Sequence, residues 1–316
     1  MTVVETFVPA KVTLTLHVTG QRDDGYHTID SLAMFADIGD RMTITMPGSF
    51  KLSLEGAMLD GVPDDHNNTV IRAARLMRMK ADFVLEKNIP HAAGLGGGPG
   101  DAAATLRILS GFSGKPVPGD GIELGADVPL CLQSESARVT GIGDIVTPIH
   151  GLPSLNAVLV NPRLPVLTTE VYKRLKHKVN RPMPDRVPYF ETPSEFAKWL
   201  KDMRNDLQEP AIEKEPVIRQ VFDTLERTPG CLLTRMSGSG GTCFGIYNDQ
   251  ETARSAAGRL RESHPSWVGC CHTVECASVS LSGNTVRRRI FSKKFGQKSL
   301  KDFGLDLRVQ AKRATT

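Results

Sequence analysis

The 316-residue sequence has no run of about 18 apolar residues, so no segment of it is expected to span a membrane. Its opening stretch, Met1 to Lys11, has neither a basic region nor an apolar core, so no signal peptide is expected. Six cysteines, at 131, 231, 243, 270, 271 and 276, form no CxxC pair and no regular framework. A reduced cytoplasm is the expected location. Cys270, Cys271, His272 and Cys276 are too crowded for ordinary zinc spacing and read as incidental thiols, so no metal ligands are assigned.

The composition, 40% hydrophobic and 23% charged, is that of an ordinary globular chain long enough for two domains. The net charge of +4 is unevenly placed: residues 281–316 hold ten Lys/Arg and two Asp/Glu, a local +8, which leaves about −4 for the rest. Charge and poor periodicity predict a disordered tail.

The most informative stretch runs from Ile89 to Leu106, with five glycines between Gly94 and Gly100 followed by an Ala-rich helical run. A glycine loop feeding a helix N-terminus aims unpaired N–H groups and the positive end of the helix dipole at one spot, which suits a phosphate. Pro99 fits the first turn of that helix. No Gly-Lys-Ser/Thr follows, which excludes a Walker A loop, and Pro99 stands where a dinucleotide fingerprint needs glycine.

Elsewhere, alternation over Lys11 to Val18 predicts a strand, with Lys11 and Thr13 on its polar face. Turn residues 20–25 lead to a return strand over Thr28 to Phe35, and further strands are expected at Met42–Met46 and Phe50–Leu54. Asn67-Asn68 can cap a helix over Thr69 to Met79. Phe83 to Glu86 reads as a strand entering the glycine loop, and Gly111 to Gly121 as a breaker cluster. Asp127 lies alone in an apolar run, as a helix cap or a buried functional group. Ala137 to Val146 suggests a hairpin, and Leu155 to Val160 a strand at the domain boundary. Helices are expected at Thr168–Lys176, Glu195–Leu200, Pro216–Leu225 and Gln250–Glu262. A second glycine loop, Met236 to Thr242, lies between two apolar strands. The pattern is α+β.

Several blocks together resemble the GHMP family of small-molecule kinases: Pro9-Ala10-Lys11-Val12, His17-Val18-Thr19-Gly20, Asp24-Gly25-Tyr26-His27, Pro90 to Ala104, Leu124 to Pro129, Asn205-Asp206-Leu207 and Met236 to Phe244. Within that family the Pro-Ala-Lys, Asp-Gly-Tyr-His and Leu-Gly-Ala-Asp-Val-Pro blocks resemble the branch that phosphorylates cytidyl-diphospho-methylerythritol in non-mevalonate isoprenoid synthesis. The resemblance implies an N-terminal domain like ribosomal protein S5 domain 2 over 1–160, a ferredoxin-like domain over 161–280, and the tail from 281. It implies ATP as donor, Mg2+ as helper and the substrate's 2-hydroxyl as acceptor. Asp127 is the implied general base and Lys11 the lysine beside it. Pro90, Gly94, Leu95, Gly96, Gly97, Gly98, Gly100 and Asp101, with Ser239 and Gly240, are implied around ATP. Thr13, Tyr26, His27, Lys87, Thr168 and Tyr172 are implied around the cytidyl substrate.

The chain departs from the family pattern where Pro99-Gly100 replaces hydroxyl residues and where Thr13 replaces an asparagine. The segments Leu109–Leu124 and Glu55–Ala81 are short, and residues 281–316 have no counterpart. Two other functions compete. A mevalonate or homoserine kinase would have no cytosine for Asp-Gly-Tyr-His to read, and a non-catalytic relative would bind RNA or another polyanion through the tail.

Overall fold

The structure, a computed structural model, describes residues 1–264 and the backbone of 271–277 and 287–290. Apart from those two strand backbones, the expected disordered tail and the 270–276 thiol cluster lie outside the described residues.

The chain opens with two 20-residue strands, β1 (Thr2–Gln21) and β2 (His27–Met46), paired antiparallel. The strands expected at Thr28–Phe35 and Met42–Met46 are one strand. A register shift between Pro9 and Lys11 lets the pairing run on past the polar interruption in β2. Gly39 makes this possible, since a Cβ there would sit 1.9 Å from the carbonyl oxygen of Val8.

Next come β3 (Leu52–Gly56), α1 (Thr69–Leu76), β4 (Asp82–Lys87), α2 (Gly97–Ser113), α3 (Val128–Gln133), β5 (Ala137–Gly141), β6 (Ile145–Pro148) and β7 (Leu155–Val160). The chain continues through α4 (Thr168–Lys173), α5 (Pro193–Lys201), α6 (Gln208–Lys214), α7 (Val217–Glu226), β8 (Cys231–Met236), β9 (Cys243–Tyr247), α8 (Gln250–Ser263), β10 (Cys271–Ala277) and β11 (Arg287–Ile290). The predicted cap of α1 is present: the Asn68 side chain accepts the Val70 N–H.

All the strands form one mixed sheet, ordered β11-β1-β2-β10-β7-β9-β8 along its main path. Along its outer edge β2 pairs in succession with β5, β10 and β4. β7, at the expected domain boundary, pairs with β9 and with β10, and β10 pairs in turn with β2. Among the described residues no helix is long and apolar enough to cross a membrane.

α2 starts at Gly97, ahead of the Ala-rich run, so that Pro99 lies in its first turn, and it runs through Gly111 to Ser113. Ala102, Ala103 and Ala104 are fully buried, and their small side chains let α2 lie close on the sheet. That packing outweighs the poor helix propensity of the glycines.

Candidate active site

The glycine loop is held at close range from three sides. Gly94 and Gly96 both have positive φ, +73° and +66°, which side chains rarely tolerate. A Cβ on Gly94 would come within 2.3 Å of the Ser237 carbonyl oxygen, and one on Gly96 within 3.1 Å of Lys11 Cβ. The Ser237 hydroxyl donates to Gly94 O at 2.8 Å and accepts the Thr13 N–H at 3.0 Å. Lys11 N–H donates to Leu95 O at 2.8 Å. The two glycine loops and β1 thus lock together. Asn205 completes the lock, its Nδ2 donating to Met236 O and Gly238 O.

Gly96 is the N-cap of α2, and the first intrahelical bond runs from Gly100 N–H to Gly96 O. Pro99 has no N–H, so the N–H groups of Gly97 and Gly98 are left at the helix start, where an anion fits.

Asp127 stands at the N-cap position of α3 but makes no capping bond there. Its Oδ2 instead accepts from Lys11 Nζ at 2.6 Å, with the lysine side chain 7% and the aspartate 42% exposed. The Lys11 stem packs against Gly96, so the carboxylate lies beside the start of the N–H cradle. Of the two sequence readings of Asp127, helix cap or buried functional group, the capping bond is not made and the carboxylate is partly exposed rather than buried. The short segment ahead of Asp127, which kinks through left-handed backbone at Gly119, Asp120 and Gly121, still delivers it to Lys11.

On the far side of Asp127, the ring of Tyr172 stacks on His27 with centroids 4.7 Å apart and an interplanar angle of 25°. Burial, with the Asp127 charge adding to it, pushes the Tyr172 hydroxyl well above its usual pKa. Burial, and then Lys178, hold the His27 imidazole below its ordinary value. His27 Nε2 is buried without a hydrogen-bond partner. A neutral ring with an unused nitrogen beside an aromatic face suits a nucleobase edge. Thr168, at the start of α4, shares a 2.7 Å hydrogen bond with the Ser239 hydroxyl.

Eight expected site residues take other places. Tyr26 is 59% exposed in the hairpin turn, where its backbone closes the turn against Arg22, and its ring is outside the His27–Tyr172 stack. Lys87, expected at the substrate, is 3% exposed because the buried carboxylates of Asp40 and Asp101 take up its ammonium. Asp101, expected at ATP, is correspondingly buried. Leu95 sends its side chain into the core and offers only its carbonyl to Lys11. Gly100 faces β1, where a Cβ would meet Val8 Cγ1 at 2.9 Å, and its N–H is already used. Thr13 is buried beneath the second glycine loop. Pro90 lines a small internal void with Leu95, Asn161 and Thr242. Gly240, at φ +100°, lies against Gly94 in the contact between the two loops.

Reading the sequence did not find Asp40, Arg107 or Ser237. Ser237 sits in the block that drew attention to Ser239, so its residue type was a usable signal. Asp40 and Arg107 act through partners 47 and 24 positions away, beyond any local pattern.

Two family descriptions match the chain: "GHMP kinases N terminal domain" over 68–151 and "GHMP kinases C terminal" over 187–266. A 4-diphosphocytidyl-2-C-methyl-D-erythritol kinase from Dinoroseobacter shibae is 48% identical over 262 residues, covering 83% of this chain and 91% of that protein. One of the same name from Ruegeria pomeroyi is 48% identical over 275 residues, covering 85% and 98%. A crystal structure of 4-(cytidine 5'-diphospho)-2C-methyl-D-erythritol kinase superposes with a TM-score of 0.66 at 30% identity, covering 86% of this chain and 99% of that one. A homoserine kinase from Cytophaga hutchinsonii, at 15% identity and TM-score 0.59, shares the fold.

Proposed function

The chain belongs to the 4-diphosphocytidyl-2-C-methyl-D-erythritol kinases of the GHMP family, and from that premise we propose which of its groups carry the reaction. The activity is ATP-dependent phosphorylation of the 2-hydroxyl of the cytidyl-diphospho-methylerythritol substrate, a step of non-mevalonate isoprenoid synthesis. The observation that carries the assignment of residues is the Lys11–Asp127 pair, 2.6 Å apart beside the glycine cradle.

In this reading Asp127 accepts the proton of the substrate hydroxyl as the phosphoryl group arrives. Lys11 orients that carboxylate and places positive charge beside the developing anion. The N–H groups of Gly97 and Gly98 and the dipole of α2 hold the nucleotide phosphates. The second glycine loop closes from the other side, with Ser239 and Thr168 offering hydroxyls at the seam. Gly98 is the open position of the loop, where a Cβ would meet nothing nearer than Thr69 at 3.8 Å, so the start of α2 has room for a phosphate. His27 and Tyr172 read the cytosine.

Among the described residues no group of three or more His, Cys, Asp or Glu side chains stands ready to hold a metal. Mg2+ would therefore be held chiefly by the nucleotide phosphates and water, supplying charge neutralisation on the transferring group. We further assign the halves on either side of residues 151–154 as the two domains, and the cytoplasm as location; the free thiols of Cys131 and Cys243, both buried, fit a reducing compartment.

The test is Asp127→Asn assayed for ATP turnover with and without the cytidyl substrate. The expected result is a native melting curve and a kcat lower by about 10²- to 10⁴-fold. Turnover near that of the unmodified protein would remove Asp127 from the role of base.

A further inference from the structure

Beneath the glycine loop lies a buried charge cluster that the mechanism above leaves unused. Lys87 at the end of β4, Asp40 on β2 and Asp101 in α2 are 3%, 0% and 2% exposed. Lys87 Nζ donates to Asp101 Oδ2 at 2.9 Å and, more closely, to Asp40 Oδ2. The other Asp40 oxygen accepts the N–H groups of Asn88 at 2.6 Å and Ile89 at 2.9 Å. Both Asp40 oxygens are therefore occupied by donors, whereas Asp101 Oδ1 is buried with no partner.

One ammonium facing two ionised carboxylates would leave a net negative charge in the interior, which is costly. A proton retained on the carboxylate pair removes that charge. Asp101, whose Oδ1 has no donor while both Asp40 oxygens do, is the carboxyl less able to stay ionised: burial first, opposed by Lys87 and reinforced by the charge of Asp40, pushes it up to about 7.

The cluster's place gives this proton a consequence. Lys87 and Asp101 stand at the two ends of the glycine loop, so their bridge closes the loop at its base. Gly97, whose N–H opens the phosphate cradle, lies directly above: a Cβ there would be 3.2 Å from Lys87 Nζ and 3.5 Å from Asp40 Oδ2.

We propose that Lys87, Asp40 and Asp101 form a proton-holding clasp that positions the glycine loop and couples nucleotide binding to protonation of the carboxylate pair. The proposal rests on the reading of that loop as the phosphate cradle. Loss of the proton places a negative charge just under the site an anion must occupy, so affinity falls. By linkage, a bound nucleotide draws the proton in. The other titratable groups facing the cluster do not supply it. The Cys131 thiol of α3 is pushed up to about 12, chiefly by burial, and stays neutral. His91 in the loop is held below its usual value by burial and by Lys87, and is neutral in the same range.

The experiment is calorimetric titration of the full chain with ADP and Mg2+, in two buffers of different ionisation enthalpy, for the unmodified protein and for Asp101→Asn. The amide cannot ionise, and ADP's own ionisation is common to both proteins. The unmodified protein is expected to take up more protons on binding near neutral pH than the variant. Its affinity is expected to weaken roughly three- to tenfold more than the variant's between about pH 6 and about pH 8. Equal proton uptake and equal pH slopes would overturn the proposal. If Asp101→Asn does not fold, Asp40→Asn removes the second carboxylate and is read in the same way; absence of proton uptake by the unmodified protein overturns the clasp by itself. A chain that binds no ADP at any pH would overturn the reading of the loop, and the clasp with it.

Discussion

Arg107 Nη1 donates to the carbonyl oxygen of Cys131 at 2.9 Å and to that of Leu132 at 3.2 Å, tying the helix that follows the glycine loop to the end of the helix that begins beside Asp127. Six residues are too few for α3 to hold its own position, so its ends are fixed from outside, by Arg107 at the C-terminus and Lys11 near the N-terminus. Arg107→Met is expected to lower kcat roughly 10- to 100-fold, the scale of a misplaced reacting group, while KM for ATP changes much less. Arg107→Lys should recover part of the loss. Steady-state kinetics with both substrates, beside a melting curve, separates this outcome from simple unfolding.

The stack of His27 on Tyr172, and the exposure of Tyr26 outside it, set an order for three alanine variants. His27→Ala and Tyr172→Ala should weaken the cytidyl substrate most. Loss of a base stack is worth roughly 1–3 kcal/mol, a factor of about five to more than a hundred. Tyr26→Ala should cost less, and ATP affinity should hold in all three. Competition binding with CDP checks the order.

Pro99 and Gly100, which replace hydroxyl residues of the family pattern, respond differently to restoration. Gly100 packs against Val8 with no space for a Cβ, so Gly100→Ser should destabilise the fold by about 1–3 kcal/mol through overpacking. Pro99→Ser restores an N–H and a hydroxyl at the first turn of α2 and should raise kcat/KM for ATP. Melting curves for the first variant and ATP kinetics for the second test the pair.

His17 supplies a pH dependence. Its Nε2 accepts the Arg204 N–H at 3.0 Å and its Nδ1 lies 3.1 Å from Arg181 O, so the folded protein needs the neutral ring. Burial, the leading cause, lowers its pKa in the folded state. Above the unfolded value of about 6.5 the ring is neutral in both states and its contribution to stability is complete. As pH falls below about 6.5 the unfolded chain binds the proton first, and stability is lost until the folded pKa is passed. Tm should therefore fall from about pH 7 toward about pH 5. In His17→Gln it should start lower and fall less steeply.

Features written in short segments were legible: the Asn68 cap, the glycine loop before a helix, the strand at Leu155–Val160 and the spacing around Asp127. Roles that depend on partners far along the chain were not. Alternation alone put Lys11 and Thr13 on the polar face of a strand and could not show that the loops from the 90s and 230s cover them. Lys87 carries the same residue type whether it meets a substrate or a buried pair of carboxylates, and only Asp40, 47 positions earlier, distinguishes the two. That Gly97, Gly98 and Gly100 are helical runs against their poor propensity. The gain from burying three consecutive alanines between the sheet and the neighbouring helices is invisible until those neighbours are there.

β1 does not belong to one half of the molecule. Its middle donates to the loop at Leu95, while farther along it is hydrogen-bonded to Asn180, Arg204, Asp206 and Arg235. The two segments that match the family's N- and C-terminal descriptions are consequently not interchangeable cassettes. A chimaera joined near residue 150 would ask one inherited ribbon to mate with a foreign set of loops at six or more backbone contacts. The two halves are therefore fitted to each other along the seam they both share with this strand.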